Sequence, residues 1–288
     1  MRSHSHFAPG HITGFFSPRI HETPEATGSV GAGVCIAHGV YTVVELLSDI
    51  NTVTVYINGK KEDAPVSEEI SKRFREKLKG VGVAVHHDLE IPVGAGFGAS
   101  GAAALSLSLC FSEFLPLTRY QCAKIAHEVE VETKTGLGDV VSQLRGGIEI
   151  RVSEGLYGIV DNILLDKKLK VLSFSMGEIK TDNILKDDKK MEEIKKEGEK
   201  CLRDLLAQPT PENMITLSKR FSERIGIHDE DIKEVVKALD GVSLSSMVML
   251  GKSVFSFIRE DDMQEALSII ESFSGAIFIS DIQEGGAW

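Results

Sequence analysis

Residues 92–104 read Pro-Val-Gly-Ala-Gly-Phe-Gly-Ala-Ser-Gly-Ala-Ala-Ala, and no other stretch restricts the fold as much. Gly94, Gly96 and Gly98 fall at every second position, where the absence of Cβ lets the backbone turn tightly and expose its N–H groups. The Ala/Leu/Ser run that follows, through Leu109, predicts a helix starting at the loop. A helix N-terminus with bare amides binds anions, phosphate above all. The expectation is a phosphate-binding loop whose contacts come from Gly94, Gly96, Gly98, Ala99, Ser100 and Gly101. The plain alternative is a glycine-rich turn with Ser100 capping the helix.

Other phosphate and nucleophile loops fit less well. Gly96-Phe97-Gly98-Ala99-Ser100-Gly101 satisfies GxGxxG after the strand-like Val81–Val85. A dinucleotide fold also wants an acidic residue ending the next strand about 20 residues on, and loop-like Leu115–Thr118 stands there. Gly251-Lys252-Ser253 carries the end of a P-loop motif, but Ser246 occupies its first glycine position and Met247–Leu250 is apolar. The hydrolase elbow GxSxG fails at Ala102.

The rest of the chain supplies an α+β context. Residues 7–60 mix glycine-rich segments, read as turns, with strands at Tyr41–Leu46 and Thr52–Ile57, the latter ending at the hairpin signal Asn58-Gly59. Ile70, Phe74 and Leu78 repeat at helical spacing within Ser67–Leu78. Val81–Ile91 is a strand feeding the glycine loop, and Thr118–Lys134 is a helix with Thr118 as its N-cap. Strands at Ile148–Val152 and Leu169–Phe174 precede helices at Ile184–Leu206, Glu212–Ile225 and Ile232–Leu239. An apolar run Met247–Ile258, a helix Met263–Phe273 and a strand Ala276–Ile279 complete the pattern, with the boundary between halves near 155–165. The 288 residues suffice for two modest domains.

A formal net charge of −11 argues against nucleic-acid or anionic-membrane surfaces. Cys35, Cys110, Cys122 and Cys201 form no CxxC pair, which argues for reduced cytoplasmic thiols and against a zinc site. The first residues lack the apolar core of a signal peptide, and no apolar run is long enough to span a bilayer.

Gly138-Asp139-Val140-Val141-Ser142-Gln143-Leu144-Arg145-Gly146-Gly147 is the second informative segment. A carboxylate near a transferred phosphate can orient an acceptor hydroxyl and take its proton; otherwise Asp139 is a turn or cap residue. His127 and Glu130, three apart on the Thr118–Lys134 helix, share a face. Arg151 could clamp a substrate carboxylate with its planar fork. Ser29, placed in a glycine turn, offers a hydroxyl and backbone amides.

The loop resembles the P-x-x-x-G-L-G-S-S-A-A segment of the GHMP kinase superfamily, with Phe97 for Leu, Ala99 for the first Ser and Gly101 for the first Ala. Residues 138–147 resemble that superfamily's S-G-x-D-N-x-x-S-x-x-G-G segment, with Val140 in place of Asn, and Ala8-Pro9-Gly10-His11 resembles A-P-G-K, with His11 in place of Lys. Gly10–Phe16, Gly28–Gly33 and Thr135–Gly147 with the following Arg151 look like its archaeal pantoate kinase family. The resemblance is specific over residues 7–152 and thins after 160, where Met249-Leu250-Gly251 and Val254-Phe255 are similar to a weak third motif.

The resemblance implies a two-domain fold, with residues 1–160 like ribosomal protein S5 domain 2 and residues 161–288 ferredoxin-like. It implies ATP and Mg²⁺ as cofactors and in-line transfer of the γ-phosphoryl group to pantoate, giving 4-phosphopantoate for coenzyme A synthesis. By the same token Asp139 is the catalytic acid-base residue, Ser100 and a helix Glu hold Mg²⁺, and Ser29, His127 and Arg151 bind substrate. Glu128 and Glu130 compete for the metal, with Glu130 favoured by its packed neighbours. The partner is a small-molecule acceptor, with no nucleic acid and no membrane, and a homodimer is left open. Two alternatives stand beside this reading: another small-alcohol kinase of mevalonate or homoserine type, and a silent metabolite-binding relative suggested by Ala99, Gly101 and His11.

Overall fold

A computed structural model describes residues 4–48, 52–78, 81–177, 188–227 and 230–288. The chain opens with two long antiparallel strands, β1 (His4–Arg19) and β2 (Gly28–Leu47), paired from His4↔Val44 to Arg19↔Gly28 with register shifts at Pro9/Gly10 and Thr13/Phe15. The glycine-rich segments of residues 7–60 were expected as turns, and here the expectation fails. Gly10, Gly14 and Gly28–Gly33 lie inside strands, because other groups press against their backbones. A Cβ at Gly39 would lie 2.1 Å from the Ala8 carbonyl oxygen. Ser29 therefore stands on β2 rather than in a turn.

The other edge of β2 is shared. Val40–Leu47 pairs with β5 (Gly82–Leu89), and Gly31–Val34 pairs with β6 (Ile148–Arg151). β3 (Val53–Ile57) runs parallel to β5 and turns through Asn58-Gly59, both at positive φ, into β4 (Lys60–Lys61). β7 (Val160–Ile163), which the sequence pattern did not indicate, pairs with β6 and completes a seven-stranded sheet.

Among the described residues, four helices belong to this half. They are α1 (Pro65–Lys77), α2 (Ala99–Phe111), α3 (Arg119–Thr133) and α4 (Asp139–Arg145). Thr118 caps α3 in a capping box with Gln121, as its position in the sequence suggested. Phe74 of α1 stacks on Phe111 of α2 at 4.3 Å between ring centroids, which joins these helices through apolar area.

The second half holds a four-stranded antiparallel sheet, β11 (Ala276–Ser280), β8 (Leu169–Ser175), β10 (Ser253–Arg259) and β9 (Ser245–Met247) in that order. The apolar run Met247–Ile258 is thus two strands joined by a tight turn rather than one element. Helices α5 (Asp188–Ala207), α6 (Pro211–Ile225), α7 (Glu230–Leu239) and α8 (Glu260–Ile270) accompany it. Residues 184–187 of the expected fourth helix lie outside the described residues. The chain changes sheet between Ile163 and Leu169, just past the expected boundary at 160.

The two halves are closely joined. Gly198 of α5 lets that helix approach β1, where a Cβ would meet the Phe16 carbonyl oxygen at 2.1 Å, and Phe221 of α6 packs against Phe15 and Phe16. Residues 281–288 leave β11 and return to the first sheet, where Gln283 N donates to the Cys35 carbonyl and Phe7 and Trp288 exchange backbone bonds. The result is the α+β architecture expected.

Candidate active site

The glycine loop ends at Gly98, which caps α2 in the left-handed region (φ 64°) and has no side chain to bond the first-turn amides. The N–H of Ala102 is the first to bond back, to the Gly98 carbonyl. The amides of Ala99, Ser100 and Gly101 are therefore those a helix start leaves for an anion. Ser100 does not cap the helix. Its hydroxyl donates instead to Glu130 Oε1 at 2.5 Å.

The loop is held from both halves of the molecule. The His11 amide donates to the Phe97 carbonyl, and Ser253 Oγ donates to the Ala95 carbonyl at 2.9 Å. A Cβ on Gly251 would lie 1.9 Å from Ala95 O, and one on Gly96 would lie 2.6 Å from Val248. The Gly-Lys-Ser that failed as a P-loop thus braces the glycine loop. Gln143, quoted in the second motif without a role, donates from Nε2 to the Gly98 carbonyl at 2.8 Å.

Between Glu128 and Glu130 the geometry is clear. Glu128 faces Arg73 and Lys124. Glu130 is buried, accepts from Ser100 and from Thr135 Oγ1 at 2.7 Å, and keeps Oε2 buried without a partner. Burial outweighs these two hydrogen bonds and pushes its carboxyl up to about 7. A hydroxyl and a carboxylate beside phosphate-binding amides are hard oxygen donors of the kind Mg²⁺ takes, and the orphaned Oε2 is an atom that a cation would satisfy. The residues fit the metal.

Asp139 begins α4 and faces the loop. Its Oδ1 meets His11 Nδ1 at 2.7 Å, and a Cβ on Gly136 would lie 3.5 Å from Oδ2 and 2.3 Å from Glu130 Oε2. Asp139 and Glu130 thus share the space at Gly136. Burial raises the Asp139 carboxyl, but the bond and charge of His11 and the charge of Arg151 outweigh it and hold it below the usual range.

Behind Asp139 lies a buried polar cluster. Arg151, 2% exposed, donates from one terminal nitrogen to Glu149 Oε1 at 2.5 Å and to Ser142 Oγ at 2.6 Å. Its Nε has no partner. A Cβ on Gly138 would lie 3.0 Å from that Nε and 2.6 Å from Ser29 Oγ, so both groups border Gly138, next to Asp139. His127 is placed apart. Its Nε2 meets the Thr27 carbonyl at 2.9 Å and it is 1% exposed, so here it holds the backbone that leads into Gly28-Ser29.

Glu149 is the site residue that the sequence reading missed. The signal was present in Ile148-Glu149-Ile150-Arg151: opposite charges two apart share one strand face. That face turned inward was not evident, because charged residues are seldom fully buried.

Comparison with known proteins agrees with this geometry. Residues 66–147 match the GHMP kinases N terminal domain. The chain is 35% identical to a pantoate kinase of Thermococcus kodakarensis, over 96% of this chain and 94% of that protein. It is 34% identical to a pantoate kinase of Methanocaldococcus jannaschii, over 92% and 97%. A solved structure described as a phosphotransferase related to the CoA biosynthesis pathway superimposes with a TM-score of 0.93 at 32% identity, covering 100% of this chain and 98% of that one. The chain is a kinase of the GHMP superfamily and belongs to its pantoate kinase family.

Proposed function

We propose that this protein transfers the γ-phosphoryl group of ATP to pantoate, giving 4-phosphopantoate for coenzyme A synthesis. One observation carries the choice of acceptor. The Ser29 hydroxyl and the unpartnered Arg151 Nε border Gly138 beside the Asp139 carboxylate. A guanidinium N–H and a hydroxyl suit a small hydroxy acid, whose carboxylate and secondary hydroxyl would be fixed while its primary alcohol meets the carboxylate. The pantoate kinases aligned over nearly the whole chain support the same acceptor.

On this reading, residues 1–160 form the domain that carries the reacting groups, and residues 161–288 form the domain that backs the loop through Ser253 and Gly251. The Ala99, Ser100 and Gly101 amides receive the ATP phosphates. Ser100 and Glu130 would hold Mg²⁺, which when bound neutralises phosphate charge. Asp139 orients the acceptor through Oδ2, since Oδ1 is engaged by His11. As the acceptor oxygen bonds to the γ-phosphorus and the bond to the ADP oxygen breaks, the hydroxyl proton passes to Oδ2. A carboxylate held below the usual range is a weak base. Its main contribution is alignment, with proton transfer late, as a loose phosphoryl transition state allows. The four buried free thiols support a reducing, cytoplasmic setting.

The test is ADP release from Mg·ATP with pantoate, mevalonate, homoserine or no acceptor. Turnover that depends on pantoate and far exceeds the others is expected. Activity with another alcohol instead would keep the kinase and discard the acceptor, and no turnover with any acceptor would favour a silent binder.

A further inference from the structure

His11 stands where the superfamily motif has lysine, and it is fully buried between two carboxylates. Its Nδ1 lies 2.7 Å from Asp139 Oδ1 and its Nε2 lies 2.9 Å from Glu149 Oε1. An ionised carboxylate can only accept. Neutral imidazole has one N–H, so with both carboxylates ionised a neutral ring would set a lone pair against an anion. Two donors are needed, and only the imidazolium has them.

The surroundings agree. The charged groups facing His11 are Asp139 from α4 and Glu149 with Arg151 from β6. Cys35, its partner across β2, has a thiol that burial pushes well up, so it stays neutral. With His11 protonated, two cations balance two anions; with His11 neutral, a net negative charge is left around the fully buried ring and the fully buried Glu149, which is costly. The space for the arrangement comes from Gly33. A Cβ there would lie 2.3 Å from His11 Nε2 and 2.8 Å from Glu149 Oε1. Burial lowers the His11 pKa, yet the bonds and charges of both carboxylates outweigh it and leave it raised.

We infer that His11 is a positioning residue, an imidazolium that Glu149 clamps from behind so that it holds Oδ1 of Asp139 and turns Oδ2 toward the acceptor alcohol. Glu149 is the second member of the device. Its Oε1 gathers His11 and Arg151, while Oε2 has no partner. The sequence exchanges the flexible lysine ammonium for a planar ring with two fixed donor directions, and such a ring needs a counter-anion at its far end. Glu149 is that anion, and Gly33 lets it come close.

This inference rests on the proposed kinase reading for its catalytic consequence but not for its chemistry, so two readouts separate the two. The first is the ¹⁵N and ¹H signature of the His11 ring in the unliganded protein at pH 7.5. Both ring nitrogens should be protonated. A single protonated nitrogen would overturn the inference, whatever the enzyme phosphorylates. The second is steady-state kinetics of Glu149→Gln, which keeps the shape and removes the anion.

In that variant the alkaline limb of the kcat profile should move to lower pH, because His11 loses a stabilising carboxylate. At pH 7.5 kcat should fall about 10- to 100-fold, the scale on which removal of a supporting partner acts, with the KM for ATP little changed. An unshifted profile with unchanged kcat would overturn the inference. His11→Lys should recover more of the activity than His11→Asn, since it restores the charge. Equal loss in both would also count against it. Should Glu149→Gln fail to fold, the wild-type ring signature still decides the matter.

Discussion

The two oxygens of Asp139 have different surroundings. Oδ1 is engaged by His11, and Oδ2 faces the space shared with Glu130. Replacing Asp139 with Ala should lower turnover by about 10²- to 10⁴-fold, the range for removal of an acid-base group; near-normal turnover would take Asp139 out of that role. Ser100→Ala removes both a hard oxygen and the hydrogen bond to Glu130, so half-saturation by Mg²⁺ should rise in assays at fixed ATP. An unchanged Mg²⁺ dependence would argue against the assignment. Arg151 has a structural consequence that its strand position did not suggest. Arg151→Met leaves Glu149 a buried carboxylate short of one counter-charge, a change worth about 3–5 kcal/mol when a buried pair is broken. Chemical denaturation should show that loss together with a raised KM for the acceptor. A stability equal to the wild type would mean that the pair is not buried as described.

At the scale of elements, one buried histidine ties together the pieces that flank the glycine loop. His87 on β5 meets Thr42 of β2 at 2.8 Å and Ser67 of α1 at 2.9 Å, and Thr42 meets Ser106 of α2 at 2.5 Å. Burial, with a smaller contribution from the His86 charge, lowers the His87 pKa to about 4. The folded value lies below the unfolded one, so the unfolded chain binds the proton first. The stability that neutral His87 contributes is complete above about pH 6.5 and is lost as pH falls toward 4, up to about 3 kcal/mol. Glu130 moves oppositely, because its raised carboxyl favours the folded state as pH falls from 7. The readout is therefore the difference between wild type and His87→Gln in urea denaturation at pH 7 and pH 5. With His87 gone the opposing Glu130 dependence is left uncompensated, so the variant should gain stability relative to the wild type on going from pH 7 to pH 5, and parallel curves would remove His87 from the account.

On the scale of the whole molecule, residues 281–288 connect the second half to α4. Ala287 N donates to the Gln143 carbonyl at 2.8 Å, while the Gln143 side chain holds Gly98 at the end of the glycine loop. Trp288, the one tryptophan of the chain, sits 5.6 Å from the Phe7 ring and 6.3 Å from Tyr41. Its fluorescence therefore reports on the docked segment alone. Truncation after Gly285 should lower the thermal midpoint and raise the KM for ATP several-fold, through loss of the brace on Gln143. Heating the intact protein should shift the Trp288 emission no later than the far-ultraviolet signal. An unchanged KM in the truncated protein would show that the brace does not reach the loop.

Much of this was legible in local pattern. Helical spacing gave α1, Thr118 gave the start of α3, and the alternating glycines with Ser100 and Asp139 marked segments that the structure brings side by side. Those signals depend on neighbours along the chain, which is why sequence carries them. What sequence did not carry is contact between distant strands. The glycines of residues 28–33 look the same whether they make a turn or thin a strand, and only the approach of His11 and Glu149 to Gly33 distinguishes the two. Glu149 looks like a solvated strand charge until Arg151 and His11 close over it, because burying a charge becomes affordable only once its partners are in place. The chemistry of the site was thus written in short segments. Which oxygen of Asp139 is left open was decided by the side-chain contacts of His11 with Asp139 and with Glu149, the latter spanning 138 residues of chain.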